Sequence, residues 1–366
     1  MSAQTVADVE PVGPDGVQPI NPNPIANLSA RIGYNTDGGA VAGVGLTTRQ
    51  LFGQDVDFSM RIEAQEGATR FNVSYSNDTL FGTSPRFGVT LAHAEMTAGD
   101  VYSFDTTTTR FQPRLTWDLS ERQRLSAFLS YSRSDIQNVA LTDSILIQND
   151  AGQQQRVAVG ANYAFALPLE GATTLRRARF DLGIEAGHTS RDHEFVVLTA
   201  RASLTHVLRD GNIVVGSSVR LGRLATSSGT SNIGDRFMLG SNSLRGFAFG
   251  GFGPRDLAVG NQPALGGNNY GIGRLDVRFP NAFGGDSSLT PGLFVDVGSL
   301  WGLDDTNGGV AGANPVDDGA HLRSSIGLTM RIETGVGPVN LFIASPMSEQ
   351  AYDETQEFGL SFSHNF

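Results

Sequence analysis

Apolar and polar residues alternate along most of this chain, so that side-chain character repeats with a period of two. Residues 56–64 show the pattern, with the apolar side chains Val56, Phe58, Met60, Ile62 and Ala64 separated by Asp57, Ser59, Arg61 and Glu63. Successive side chains of a β-strand point to opposite faces, so each such segment has one apolar and one polar face. Because helical spacing is nearly absent, the sequence predicts an all-β fold.

The length of the alternating segments and their polar faces indicate which way the apolar faces point. The segments are about ten residues long, roughly twice the average strand of a globular protein. Their polar faces combine small and charged residues, as in Gly43, Gly45 and Thr47 or in Arg179, Asp181, Gly183 and Glu185. Such faces suit a wet lumen, and the apolar faces then contact lipid. An open edge would leave backbone groups unpaired in hydrocarbon, so the prediction is a closed transmembrane antiparallel β-barrel.

The pattern predicts sixteen strands, an even number as in bacterial outer-membrane barrels. They span residues 28–35, 41–49, 55–64, 69–76, 86–95, 108–119, 122–134, 155–167, 177–187, 195–208, 212–223, 270–279, 289–300, 322–333, 338–345 and 356–366. Short turns and long loops should alternate between the two ends of such a barrel. The long connections at 135–154, 224–269 and 301–321 follow the seventh, eleventh and thirteenth strands, so they share one end.

Composition removes several other classes of protein. The chain of 366 residues has no cysteine, which excludes a disulfide scaffold, and its net charge of −11 disfavours a general nucleic-acid binder. No apolar run reaches the roughly 18 residues that a membrane-spanning helix needs. Residues 1–26 hold five prolines before any periodic pattern begins. We therefore predict a flexible Pro-rich lead at 1–26 and a single barrel domain at 27–366.

The long connection between the eleventh and twelfth predicted strands carries a motif. It contains RFMLGSNSLRGFAFGGFGPRD, with SLRGF at residues 243–247, and is followed by RLDVRFP at 274–280 and LFVDVGSLWG at 293–302. These segments resemble the shared loop and the next strands of the bacterial surface-antigen superfamily. That superfamily includes outer-membrane assembly factors of the BamA and TamA type and two-partner secretion transporters. The motifs cover the C-terminal third, whereas the first 200 residues are similar in architecture alone.

The resemblance implies that this loop folds back into the lumen, where the arginine of the motif is held by acidic residues of the wall. The motif residues are Ser243, Leu244, Arg245, Gly246 and Phe247, and alignment with the family gives Asp276 and Asp296 as the acidic partners. Strand parity agrees, because the neighbours of both aspartates are apolar and turn the carboxylates inward. A guanidinium can serve two carboxylates at once. Gly246 is expected to allow close backbone passage, and Phe247 to pack the tip against the wall.

The last predicted strand ends in an aromatic residue, as outer-membrane barrels commonly do. It should meet the first strand along a lateral seam that comprises Leu28, Ala30, Ile32, Phe358, Leu360, Phe362 and Phe366. The function implied by the resemblance is assembly or insertion of outer-membrane proteins by a non-enzymatic mechanism. In that mechanism the seam opens and its free edges template incoming strands.

Two alternatives remain open from the sequence: a two-partner-type polypeptide secretion pore, and a structural or surface-antigen barrel that lacks repeats. Family members usually carry periplasmic polypeptide-binding repeats ahead of the barrel, and this chain has no room for one. Its penultimate strand also has Phe342 and Ile343 where relatives often show an acidic–aromatic pair.

The sequence shows no pattern that indicates an enzyme. The six histidines are scattered without metal-ligand spacing, and no GxSxG motif is present. We therefore predict no catalytic residue, no metal and no cofactor. The expected location is the bacterial outer membrane and the barrel is expected to be monomeric. Expected partners are the outer-membrane lipid bilayer, unfolded outer-membrane protein clients and periplasmic accessory factors, with no nucleic acid.

Overall fold

The computed structural model describes residues 26–35, 39–51, 54–78, 80, 82, 84–99, 103–168, 175–191, 193–208, 211–284, 288–335 and 337–365. Most of the predicted Pro-rich lead, residues 1–25, lies outside the described residues, as does Phe366 of the predicted seam. Ala26, at the predicted domain boundary, already belongs to the first strand.

Sixteen strands form one closed antiparallel barrel, in which each strand pairs with the next and the last returns to the first. They are β1 (Ala26–Asn35), β2 (Gly39–Leu51), β3 (Gln54–Gln65), β4 (Ala68–Asn77), β5 (Arg86–Met96), β6 (Asp105–Ser120), β7 (Gln123–Gln137), β8 (Gly152–Pro168), β9 (Leu175–Thr189), β10 (Glu194–Leu208), β11 (Ile213–Thr226), β12 (Asn269–Arg278), β13 (Leu289–Trp301), β14 (Arg323–Thr334), β15 (Gly337–Ser348) and β16 (Phe358–Asn365). The predicted fold class and strand count are confirmed.

Alternate side chains of each strand face opposite sides of the wall, as the period of two requires. On β8 the side chain of Val157 faces outward and is 61% exposed, whereas its neighbours Arg156 and Ala158 are buried on the inner side. The same parity turns Ile184 outward and Glu185 inward on β9. The outer face is therefore the apolar one.

The long loops gather at one end of the barrel. The loops 138–151, 227–268 and 302–322 follow β7, β11 and β13, and all three lie at what is called here the long-loop end. The connections after β2, β6 and β14 are short and lie at the opposite, short-turn end. This arrangement matches the predicted alternation of loop lengths.

The connection 227–268, called here the internal loop, folds into the lumen and fills part of it. Its apolar side chains pack against inward-facing wall residues in a buried cluster of Ala158, Phe195, Val197, Leu224, Phe237, Leu239, Leu244, Phe247, Phe252, Ile272 and Leu300. Burial of this apolar surface stabilises the folded-in position of the loop.

The loop 138–151 contains a single helical turn, α1 (Ile145–Gln148), which links two of the long loops. The Ser144 hydroxyl accepts a hydrogen bond from the Leu146 amide at 3.3 Å and caps the turn. The Ile145 amide donates to the Gly309 carbonyl at 2.9 Å, which ties this loop to the loop 302–322. No helix within the described ranges is long and apolar enough to cross a membrane.

Candidate functional site: the internal loop and the strand seam

Arg245 of the internal loop is held by two aspartates on neighbouring strands of the wall. Its Nε and Nη2 atoms donate to the two carboxylate oxygens of Asp296 on β13, at 2.8 and 2.7 Å. Its Nη1 atom donates to Oδ1 of Asp276 on β12 at 2.7 Å. The Arg245 amide adds a fourth bond, to Asp296 Oδ2 at 3.0 Å. The structure thus brings together the three residues that the sequence singled out.

The two carboxylates of this ion cluster differ in their exposure to solvent. The Asp296 side chain is fully buried, whereas that of Asp276 is 34% exposed. The guanidinium carbon of Arg245 lies 3.7 Å from the centre of the Phe294 ring on β13, which adds a cation–π contact. Arg274 of β12 places its Nε 3.4 Å from Asp296, so that the fully buried carboxylate faces two positive charges. The hydrogen bonds from Arg245 to Asp296 are charge-assisted, which is the stronger class of hydrogen bond.

The residues beside Arg245 fit the loop closely to β14. The Ser325 hydroxyl on β14 donates to the Arg245 carbonyl. Gly246 has a φ of +94°, and a Cβ there would lie 3.0 Å from the Ser325 Cβ, so a side chain would be strained in backbone and in space. Leu244 and Phe247 are fully buried, Ser243 is 2% exposed, and the Phe247 ring packs edge-to-face on Phe252 at 5.5 Å.

The loop 349–357 also holds the internal loop, a contact that sequence reasoning missed. Gly246–Phe247 pair antiparallel with Thr355–Gln356, and Arg255 Nη1 lies 2.8 Å from Glu354 Oε1. The predicted last strand begins at residue 356, but Gln356 pairs with the internal loop and the barrel strand β16 begins at Phe358. Alternation alone does not reveal such a change of partner.

The structure places most predicted seam residues on the outer face of β1 and β16. Ile32 lies opposite Phe362, and Ala30 lies opposite the backbone of His364. Leu360 lies opposite Tyr34 on the same ladder. Leu28 pairs with Leu46 of β2, and Phe358 pairs with Ile343 of β15. Phe366, the remaining predicted seam residue, lies outside the described residues.

Two carboxylates of the long loops accept hydrogen bonds from backbone amides. Asp150 Oδ2 accepts from the Ile233 amide at 2.6 Å, and burial raises the pKa of this carboxyl above its usual value. Asp317 is exposed, and the Gly319 amide lowers the pKa of its carboxyl, with a smaller contribution from His321. In the part of the chain that the structure describes, no three His, Asp or Glu side chains are grouped to hold a metal ion.

Two features define the class of this protein. It is a closed barrel with an apolar outer face, and one of its own loops is held inside the lumen by an arginine. The Omp85 superfamily domain matches residues 50–366, and the chain belongs to that superfamily. The family resemblance noted in the sequence is confirmed. The place of this barrel is the bacterial outer membrane.

Individual relatives show how far the similarity reaches. The "Outer membrane protein assembly factor BamA" of Neorickettsia risticii (strain Illinois) is 24% identical over 350 residues, which are 93% of this chain and 45% of the relative. The chain thus spans less than half the length of that curated relative. The crystal structure of BamA from Haemophilus ducreyi lacking POTRA domains 1–3 has a TM-score of 0.76 at 17% identity, over 93% of this chain and 70% of that chain. CdiB from Escherichia coli has a TM-score of 0.63 at 14% identity, over 94% and 64%. These two structures share the fold.

Proposed function

We propose that this barrel assembles or inserts outer-membrane proteins without enzymatic chemistry, by lateral opening between β1 and β16. The curated relative is named as an assembly factor, which supports the general activity. The observation that carries the mechanism is the weak pairing of β16. Within the described residues its ladders comprise seven residue pairs with β1 and five with β15, whereas the other ladders of the barrel comprise nine to fourteen.

The two edges of β16 differ in what holds them besides the ladder. On the β15 side, the loop 349–357 joins the strands covalently and is itself fixed, because Arg323 of β14 binds both oxygens of Asp353 at 2.9 Å. The Ala344 amide on β15 also donates to the Glu357 carbonyl at 2.7 Å. On the β1 side, the contact between the described residues that is seen is the ladder of seven residue pairs. Opening is therefore expected between β1 and β16.

An open seam presents two rows of backbone N–H and C=O groups at the lipid-facing surface. Hydrocarbon cannot satisfy these groups, so an incoming strand that pairs with them lowers the free energy of the open state. The outward side chains Ile32 and Tyr34 line this edge and can contact the apolar face of a new strand. No covalent bond is made or broken. Backbone hydrogen bonds between β1 and β16 are replaced by hydrogen bonds to the incoming strand.

The partners follow from this mechanism. The proposed clients are unfolded outer-membrane proteins, and periplasmic accessory factors are proposed to deliver them. The folded product enters the outer-membrane bilayer. A single barrel carries both edges of the seam, so a monomer suffices. Nucleic acid has no role in this scheme.

A disulfide across the seam tests the proposal. Ile32 and Phe362 lie opposite each other, and the chain has no native cysteine, so an Ile32→Cys/Phe362→Cys pair introduces the only thiols. Reconstituted in vesicles, the oxidised variant should lose most of its acceleration of client-barrel folding and recover it on reduction. Full activity in the oxidised state would contradict lateral opening.

A matched control separates locking of the seam from a general effect of crosslinking. Leu182 of β9 and Ala200 of β10 are paired and face outward, far from the seam, so a Leu182→Cys/Ala200→Cys variant carries the same chemistry. It should keep its activity when oxidised. A parent barrel that conducts ions and accelerates no client would instead favour the secretion-pore alternative.

A further inference from the structure

We infer that the internal loop has a second anchor, in which Asp235 of the loop binds Arg156 of the wall, and that both anchors must release before the loop can leave the lumen. This inference concerns the position of the loop and stands independently of the proposed function.

The second anchor is a continuous ion cluster on the inner wall. Arg156 on β8 donates from Nη1 to Asp235 Oδ1 at 3.0 Å and from Nη2 to Glu185 Oε1 on β9 at 3.2 Å. Arg110 on β6 donates to Glu185 Oε2 at 2.9 Å. The second oxygen of Asp235 accepts from the Gln154 amide group at 2.7 Å. Two arginines and two carboxylates balance each other in charge.

Burial makes this cluster more than a surface ion pair. Arg156 is 7% exposed and Glu185 is 6% exposed. The guanidinium carbon of Arg156 lies 3.7 Å from the centre of the Phe195 ring on β10, so its face is covered as well. Removal of Asp235 leaves Arg156 with a shared carboxylate in a poorly solvated site, and breaking a buried pair of this kind is costly.

The two anchors lie on different parts of the wall and have opposite polarity. Arg245 binds β12 and β13, whereas Asp235 binds Arg156 and Gln154 of β8. β12 lies four strand positions from β8 in a barrel of sixteen, which is about a quarter of the circumference. The loop emerges between them, from β11 to β12, so it is fastened on both sides of its own hairpin. The loop supplies the cation at one site and the anion at the other.

Most residues between the anchors are buried, so they report whether the loop stays in place. Phe237, Leu239 and Leu244 belong to the apolar cluster against the wall, and Ser243 is 2% exposed. A loop held at one site could still swing about that site and expose Ser243. A loop held at both sites cannot do so without breaking ion pairs.

Thiol accessibility measures this exposure directly. A Ser243→Cys variant carries the only thiol of the chain, and its rate of modification by a maleimide is measured in the folded barrel in vesicles. We expect Asp235→Asn and Arg245→Ala each to raise the rate by about tenfold or more, because each removes the ion pairing of one anchor. The double variant should modify faster than either single variant.

Three further variants separate anchoring from general damage. Asp317→Asn removes an exposed loop carboxylate and should leave the rate unchanged. Asp235→Glu keeps the charge and should restore slow modification. Arg156→Lys keeps the positive charge but loses the two-pronged geometry, and should raise the rate even if Asp235→Asn fails to fold. The second anchor would be overturned if Asp235→Asn left the modification rate unchanged, both alone and when added to Arg245→Ala. If Asp235→Asn does not fold, an unchanged rate in Arg156→Lys would overturn it instead.

Discussion

Two arginines on the inner side of this barrel meet carboxylates in very different settings. Arg245 lies 2.7 Å from the fully buried Asp296, inside a cluster that also involves β12 and β14. Arg31, on the seam strand β1, lies 3.8 Å from Glu63 of β3, and their side chains are 34% and 23% exposed. Burial and hydrogen bonds to a charged group strengthen the first pair, whereas water weakens the second.

The contrast shows how one part of the barrel wall can be held rigidly while another part is able to open. The region around β8–β9 and β12–β14 is cross-linked by the internal loop through buried ion pairs. Within the described residues, β1 and β16 are joined by a backbone ladder of seven residue pairs. Movement at the seam therefore need not disturb the loop, and the loop can hold the rest of the barrel in shape while the seam changes.

The largest effect is expected from Arg245→Ala. The substitution leaves Arg274 as the remaining arginine beside the buried Asp296 and removes three side-chain hydrogen bonds between loop and wall. We expect a loss of about 3–5 kcal/mol in the free energy of unfolding, measured by urea denaturation with heat-modifiable gel mobility as the readout of the folded barrel. Arg245→Lys should fall between parent and alanine variant, because lysine keeps the charge without the planar fork. If Arg245→Ala had the same free energy of unfolding as the parent, the buried pair would be no stronger than the exposed pair of Arg31.

A smaller and asymmetric effect is expected from the two aspartates. Asp296 accepts three hydrogen bonds from Arg245 in full burial, and Asp276 accepts one while partly exposed. Asp296→Asn should therefore destabilise the barrel by about 3 kcal/mol and Asp276→Asn by about 1 kcal/mol. The same denaturation assay ranks the two variants. Equal effects would mean that burial does not decide the strength of these bonds.

The smallest effect is expected from Arg31→Ala at the seam. A pair that is partly exposed and 3.8 Å apart contributes at most about 1 kcal/mol. The free energy of unfolding should change by less than that, and added salt should reduce the difference further. A loss comparable to that of Arg245→Ala would show that the seam depends on charge as strongly as the loop does.

The barrel was predictable from sequence because its strands are long and the period of two persists through each of them. Arg245 and its partners were predictable because parity turns Asp276 and Asp296 inward and the family motif marks the arginine. Asp235 was not predictable, because it lies in a loop without periodicity, 79 residues from Arg156. Parity places Arg156 and Glu185 on the inner face, but nothing in the sequence indicates which loop carboxylate completes the cluster.

The sequence separations within the lumen also constrain the order in which the barrel folds. Arg245 and Asp296 are 51 residues apart, Asp235 and Arg156 are 79, and Ser325 and Arg245 are 80. Hairpin pairing between neighbouring strands is far more local and forms faster. The lumenal ion pairs can form only after several hairpins have assembled side by side. Docking of the loop is therefore a late event, which completes a wall that neighbouring strands have already built.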